Sequence, residues 1–168
     1  MNKENRLMHA YADDAYQHLQ APVQLIASQL ALLEAAELSE TNRKDYGLMR
    51  AAQMELSDLV QSVRDDFVGS DESARSNLRH DMRNAIGVIM GYAELILEDV
   101  GEEAGLISKA LLRIEQKANT FLVDISRLSD EAAMKGEDSK ELHRLFDDLR
   151  QGDQHPSSDT SPGTILII

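Results

Sequence analysis

The chain has 168 residues, of which 42% are apolar, enough for one compact domain with a hydrophobic core. Its 30 acidic and 17 basic residues give a formal net charge of −13, which disfavours nucleic acids and anionic membrane surfaces as partners. Cysteine is absent, so disulfides, thiolate nucleophiles and cysteine-ligated metals are excluded, and we expect a cytoplasmic protein. With only 3 prolines and 4% aromatic residues, the composition predicts an all-α fold.

Apolar residues recur at helical spacing in four long segments. They predict helices at about 6–36, 41–67, 73–99 and 103–132, each with one buried face. Gly101 is expected to end the third helix, and the residues from Ser39 to Thr41 are expected to cap the second. The predicted core positions are Met8, Ala12, Ala15, Leu19, Val23, Ile26, Leu30, Leu33, Met49, Ala52, Leu56, Leu59, Val60, Val63, Phe67, Leu78, Met82, Ile86, Ile89, Ala93, Ile96, Val100, Ile107, Leu111, Ile114, Ala118, Phe121, Ile125, Leu128 and Ala132.

The C-terminal part of the chain has a different character. Residues 136–151 predict a short amphipathic helix, and residues 152–163, GDQHPSSDTSPG, have the composition of a flexible linker. The last five residues, 164–168, read TILII and resemble the first strand of a receiver domain. We interpret them as the start of a truncated receiver domain.

The four predicted helices form an internal repeat. The core positions of the first and third helices are related by an offset of 63, as from Leu19 to Met82, and those of the second and fourth by 62, as from Met49 to Leu111. We therefore predict two tandem hairpins, at 1–69 and 70–135, that pack as an antiparallel four-helix bundle. An intrachain pseudo-dimer is the favoured arrangement, and a homodimer that pairs hairpins between chains is the alternative.

The stretch from Leu78 to Glu98 carries the most chemical information. At 100° per residue, His80 lies about 160° from Met82 and therefore on the solvent side of its helix. Asn84 follows one turn later, and Gly87 and Gly91 continue the same line. Two glycines inside a helix favour a small surface that another backbone approaches, or else they relieve crowding or permit a bend.

The residues His80-Asp81-Met82-Arg83-Asn84 resemble the H-box of the dimerisation and histidine-phosphotransfer domain of sensor histidine kinases. In that family the pattern is His, an acid, two variable residues, then Asn or Thr. The segment 110–129, ALLRIEQKANTFLVDISRLS, is similar to the second helix of the same family, so the resemblance covers about 60 residues.

The resemblance implies a role for each position. His80 would take or give a phosphoryl group, and Asp81 would orient the imidazole and accept its proton. Asn84 would position a water that dephosphorylates a partner's aspartyl phosphate. We expect a receiver domain to dock over Arg83, Gly87 and Gly91.

Two departures from the family pattern argue against kinase activity in this chain. Ala85 stands where the family commonly has a helix-bending proline, and no segment resembles the boxes of an ATP-binding domain.

In the first hairpin, Pro22 is kept but Gln17 occupies the place that corresponds to His80. We interpret this hairpin as a degenerate copy, with His18 as the acceptor in a slipped register as the alternative.

The leading hypothesis is a two-component signalling module that docks a receiver domain, either in cis after residue 168 or in trans, and exchanges a phosphoryl group through His80. The alternative is a non-catalytic pseudo-histidine-kinase scaffold for dimerisation or for regulating a downstream domain. An authentic histidine kinase truncated before its ATPase is disfavoured by the linker and TILII.

We expect no cofactor and no metal site in this chain, and Mg²⁺ only on a partner receiver or kinase. The remaining histidines and the paired acidic residues are interpreted as solvated; they are His9, His143, His155, Asp13, Asp14, Asp65, Asp66, Asp147 and Asp148.

Overall fold

The computed structural model of the chain describes residues 2–101, 103 and 105–137, with side chains as far as residue 128. Four α-helices lie in these ranges: α1 (Lys3–Glu34), α2 (Glu40–Asp66), α3 (Glu72–Val100) and α4 (Leu106–Glu137). The described residues contain no strand. The structure therefore confirms the predicted all-α fold class.

The helix boundaries agree with the periodicity except at the end of α4. This helix continues to Glu137, beyond the predicted end near residue 132 and through Gly136. A glycine inside a helix costs about 1 kcal/mol relative to alanine, which a long helix tolerates. The predicted boundary at residue 136 thus falls within α4, whereas residues 138–168, with the linker and the TILII segment, lie outside the described residues.

Short polar side chains cap the starts of α2 and α3, and glycines lie at the turn between α3 and α4. The Ser39 hydroxyl accepts a backbone N–H at the start of α2, as predicted, and Asp71 accepts the N–H of Ala74 at 2.8 Å at the start of α3. Gly101 ends α3 with φ +76°, and Gly105 precedes α4 with φ +63°. Both glycines adopt the left-handed region that residues with a Cβ disfavour, so they fix the turn between α3 and α4.

Contacts at the two ends of the bundle establish the up-down-up-down order of the helices. At one end the Tyr11 ring lies 5.9 Å from the Phe67 ring, and its hydroxyl donates to the Leu128 carbonyl at 3.4 Å. At the other end Asn42 Nδ2 donates to Asp99 Oδ2 at 2.7 Å. Since α2 packs against both α1 and α3 while those two do not approach each other, α1 and α3 occupy opposite corners.

One continuous hydrophobic core joins all four helices. The chain up to Ser129 forms one compact unit, so the two hairpins do not pack as separate domains. Full burial of a leucine or isoleucine side chain contributes roughly 1.5–3 kcal/mol, which makes this shared core the main stabilising element. The largest fully buried side chains are Leu19, Ile26, Leu33, Met49, Leu56, Phe67, Met82, Ile86, Ile89, Ile96, Leu111 and Phe121.

The buried set differs from the predicted one in a few places. Five predicted core residues at helix ends or flanks are only half-buried; they are Met8, Leu59, Leu78, Val100 and Ile107. Arg79, which the apolar pattern did not place in the core, is 8% exposed and donates to Glu72 at 2.7 Å. The side chain of Ala132 lies outside the described part.

None of the described helices is long and apolar enough to cross a bilayer.

Candidate functional site

His80 is held on the outside of α3 by the burial of its neighbours. Met82 and Ile86 are fully buried, and the helix geometry then turns His80 toward solvent. Its side chain is 72% exposed. The prediction that His80 is a surface residue is confirmed.

Two neighbouring side chains contact the same nitrogen of this imidazole. Asn84 Nδ2 lies 3.2 Å from His80 Nδ1, and Asp81 Oδ1 lies 3.5 Å from the same atom. The spacing explains the first contact, since residues four apart share one helix face. We refer to His80, Asp81 and Asn84 as the histidine site.

The two contacts correspond to different proton positions on the ring. Asn84 Nδ2 can donate only when His80 Nδ1 carries no proton, whereas Asp81 can accept only from a protonated Nδ1. An amide rotated by 180° about its last bond would instead present the Asn84 oxygen to an Nδ1–H, and the two orientations differ only in hydrogen positions. In each case the contacts fix Nδ1, and Nε2 is the nitrogen left for a partner.

The three residues expected to dock a partner lie on the exposed side of the same helix. Arg83, Gly87 and Gly91 are all exposed. A Cβ added at either glycine would meet no atom within 4 Å. Crowding within the described part of the chain therefore does not require glycine at these positions. The helix surface beside the histidine site is uncovered and has no side chains at the two glycines.

The corresponding face of the first hairpin has different chemistry. Gln17 is exposed where the repeat aligns it with His80, and Pro22 is buried inside α1. His18 is exposed as well, and its Nε2 lies 3.7 Å from Asp14 Oδ1. Exposure alone thus does not separate the two histidines, but only His80 has an amide and a carboxylate on one ring nitrogen.

The other histidines and the paired acidic residues were predicted to be solvated. His9 and the pairs Asp13-Asp14 and Asp65-Asp66 are exposed, as predicted, and His143, His155, Asp147 and Asp148 lie outside the described residues. Among the described residues, no group of three or more histidines and carboxylates is placed to hold a metal ion.

A group of residues farther along α3 was not predicted from the sequence. Val88 and Leu95 are exposed apolar side chains, and Glu94 lies beside Glu115 of α4. Burial, and secondarily the charge of Glu94, raises the pKa of the Glu115 carboxyl. The spacing of the α3 residues is visible in the sequence, but the proximity of Glu94 to Glu115 depends on the register of two helices.

Comparisons with protein-family models, with curated proteins and with solved structures find no match for this chain. Its fold and site define a class by geometry: an antiparallel four-helix bundle with an exposed imidazole that a carboxylate and an amide contact on one helix face.

Proposed function

We propose that this chain is a histidine-phosphotransfer module of two-component type, in which His80 exchanges a phosphoryl group with the aspartate of a receiver domain. The observation that supports this most is the arrangement of the histidine site, where both neighbours engage Nδ1 and leave Nε2 toward solvent. A neutral imidazole is a competent nucleophile near neutral pH, and an exposed one is reachable by a second protein.

The transfer step follows from the positions of the two ring nitrogens. The lone pair of His80 Nε2 attacks the phosphorus of the receiver's aspartyl phosphate, and the Nε2–P bond forms as the acyl phosphate O–P bond breaks. The receiver aspartate leaves as a carboxylate. The attacking imidazole carries its proton on Nδ1, and the carboxylate of Asp81, 3.5 Å away, stabilises the positive charge that develops on the ring.

Asn84 has a separate role in the proposal. Its amide lies one helical turn from His80 and is exposed, so it reaches both the imidazole and a protein docked above it. An amide can hold a water through one donor and one acceptor. We assign to Asn84 the positioning of a water that hydrolyses the partner's aspartyl phosphate, in competition with transfer to His80.

The docking surface of the proposal continues from the histidine site along α3 through Arg83, Gly87 and Gly91. A smooth exposed surface without Cβ atoms at two of these positions lets a partner helix approach the α3 backbone. The first hairpin, with Gln17 in the place of a histidine, supplies half of the shared core. The proposal therefore gives the bundle one active face within an intrachain pseudo-dimer.

The proposal is tested by phosphotransfer from purified receiver domains that carry labelled aspartyl phosphate. We expect acid-labile label on the intact chain and on His18→Gln, and none on His80→Gln. His80→Gln should change the free energy of unfolding by less than about 0.5 kcal/mol, because the side chain is exposed. The loss of label would then report chemistry rather than unfolding.

Further variants separate docking from chemistry. Gly87→Trp or Gly91→Trp should slow labelling while His80 remains intact, because the bulky side chain obstructs the partner. Mg-ATP alone should leave the chain unlabelled, since its sequence carries no motif resembling a nucleotide-binding domain. If the intact chain takes no label from any donor, phosphoryl transfer is contradicted and the scaffold function is supported. If label is lost only in His18→Gln, the acceptor is His18 in the first hairpin.

A further inference from the structure

A shallow groove lies on the outer face of α3, beyond the histidine site. It is lined by Val88, Gly91, Tyr92, Glu94, Leu95 and Glu98. Val88 is eight residues after His80, which corresponds to about 12 Å along the helix axis. We call this surface the α3 groove.

The α3 groove exposes apolar side chains that nothing in the described chain covers. Val88 is 41% exposed and Leu95 is 53% exposed, and they lie two turns apart on one side of the helix. Gly91 lies between them, with no atom within 4 Å of the position that a Cβ would take. The groove can therefore accept one apolar side chain close to the α3 backbone.

The rim of the groove is acidic. Glu94 and Glu98 are one turn apart on α3, where like charges destabilise a helix. Glu115 of α4 adds a third carboxylate beside Glu94, and burial together with this neighbour raises its pKa. Among the described residues, none of the three forms an ion pair with a lysine or arginine. A cation placed at this rim would relieve the repulsion.

The first hairpin provides an internal comparison. The repeat offset of 63 relates Val88 and Leu95 to Leu25 and Leu32, which are also exposed, by 45% and 55%. The same offset relates the rim carboxylates Glu94 and Glu98 to alanines, at positions 31 and 35. Both hairpins thus expose an apolar pair, and only the second surrounds it with negative charge.

We propose that the α3 groove binds a basic amphipathic segment of another protein, which inserts an apolar side chain between Val88 and Leu95 and places lysine or arginine against Glu94 and Glu98. Charge complementarity selects this occupant, since the groove offers an apolar floor with an anionic rim. A second copy of this chain is disfavoured, because it would bring two acidic rims together in a protein of net charge −13. The inference does not depend on phosphoryl transfer at His80.

The test measures binding of a fluorescein-labelled helical peptide of leucine and lysine to the full chain by anisotropy, at low and high salt. The double variant Glu94→Gln with Glu98→Gln, and separately Leu95→Ser, should each weaken binding about tenfold, a change of about 1.4 kcal/mol. High salt should weaken binding by the intact chain more than by the double variant. His80→Gln should bind like the intact chain, which keeps this result separate from that of the phosphotransfer assay.

Matched controls remove the same charge and the same apolar surface elsewhere. Asp65→Asn with Asp66→Asn, and Leu32→Ser in the first hairpin, should leave peptide binding unchanged, and all variants should melt cooperatively by circular dichroism. If the aspartate double variant weakens peptide binding equally, binding depends on net charge alone. If Leu32→Ser weakens it equally, binding does not depend on the α3 groove. Either result overturns the proposal. A dimer in sedimentation that Leu95→Ser dissociates would show that a second copy covers the groove.

Discussion

Glu115 is a half-buried carboxylate of α4, whereas most other acidic side chains in the described part of the chain are exposed. Its pKa is raised from the ordinary value of 4.5, first by burial and then by the charge of Glu94. The folded chain therefore binds this proton more tightly than the unfolded chain. Consequently the stability that the protonated form contributes is present below about pH 4.5 and is lost as pH rises through the raised pKa.

This sign leads to a prediction for Glu115→Gln. The variant should have a higher free energy of unfolding than the intact chain at neutral pH, because glutamine removes the disfavoured charge, and the difference should vanish below the ordinary pKa. Urea denaturation at the two pH values measures it. Glu55→Gln, an exposed change on α2, is the matched control and should show no such dependence. A gain of equal size at both pH values would contradict the electrostatic explanation.

Contacts between residues four apart on one helix could be predicted from the sequence, and contacts between helices could not. His80 and Asn84 meet because residues four apart share one helix face, so spacing alone predicts that contact. Asp81 diverges from His80 by about 100° around the helix, so its approach to Nδ1 does not follow from spacing. The bond between Asn42 and Asp99 depends on how far α2 is shifted along α3, which no periodicity encodes.

Gly87 and Gly91 lower the helix propensity of α3, and packing among the described residues does not require glycine at either position. Replacing either with alanine should raise the free energy of unfolding by about 0.5–1 kcal/mol, because the added methyl meets no neighbouring atom and stiffens the unfolded chain. Gly47→Ala on α2, also exposed and uncrowded, should gain a similar amount in the same urea titration. A loss of stability at Gly87 or Gly91 would indicate that glycine relieves a close contact there.

The existence and starts of the helices could be predicted from period and capping, whereas one end could not. Apolar spacing of three and four predicts a helix wherever a core covers one face, and the residues from Ser39 to Thr41 were cap candidates because they precede such a pattern; the structure identifies Ser39 as the cap. The fourth helix was expected to end near residue 132, but α4 continues through Gly136 to Glu137, while Gly101 ends α3 with φ +76° as expected. The residue type is the same, and the left-handed turn that distinguishes them is not visible in the sequence.

For the whole molecule, the shared core predicts that the two hairpins unfold together. Phe121 of α4 is fully buried, and Phe121→Ala should lower the free energy of unfolding by about 3–5 kcal/mol through lost burial and the cavity left behind. Leu19→Ala in α1 should cost about 2–5 kcal/mol in the same single transition, although it lies in the other hairpin. Two separate transitions in calorimetry, each sensitive to only one of these variants, would contradict a single core.

The proposed function depends on the whole bundle, since one core positions α3, α3 exposes the histidine site, and the contacts at Nδ1 leave Nε2 of His80 for the reaction. The most direct measurement is phosphorus–proton correlated NMR of the intact chain after transfer from a phosphorylated receiver domain. We predict an acid-labile phosphorus bonded to Nε2 of His80, with Nδ1 protonated beside Asp81. A phosphoryl group on Nδ1 of His80 or on His18, or a chain without any phosphohistidine, would contradict the proposed function.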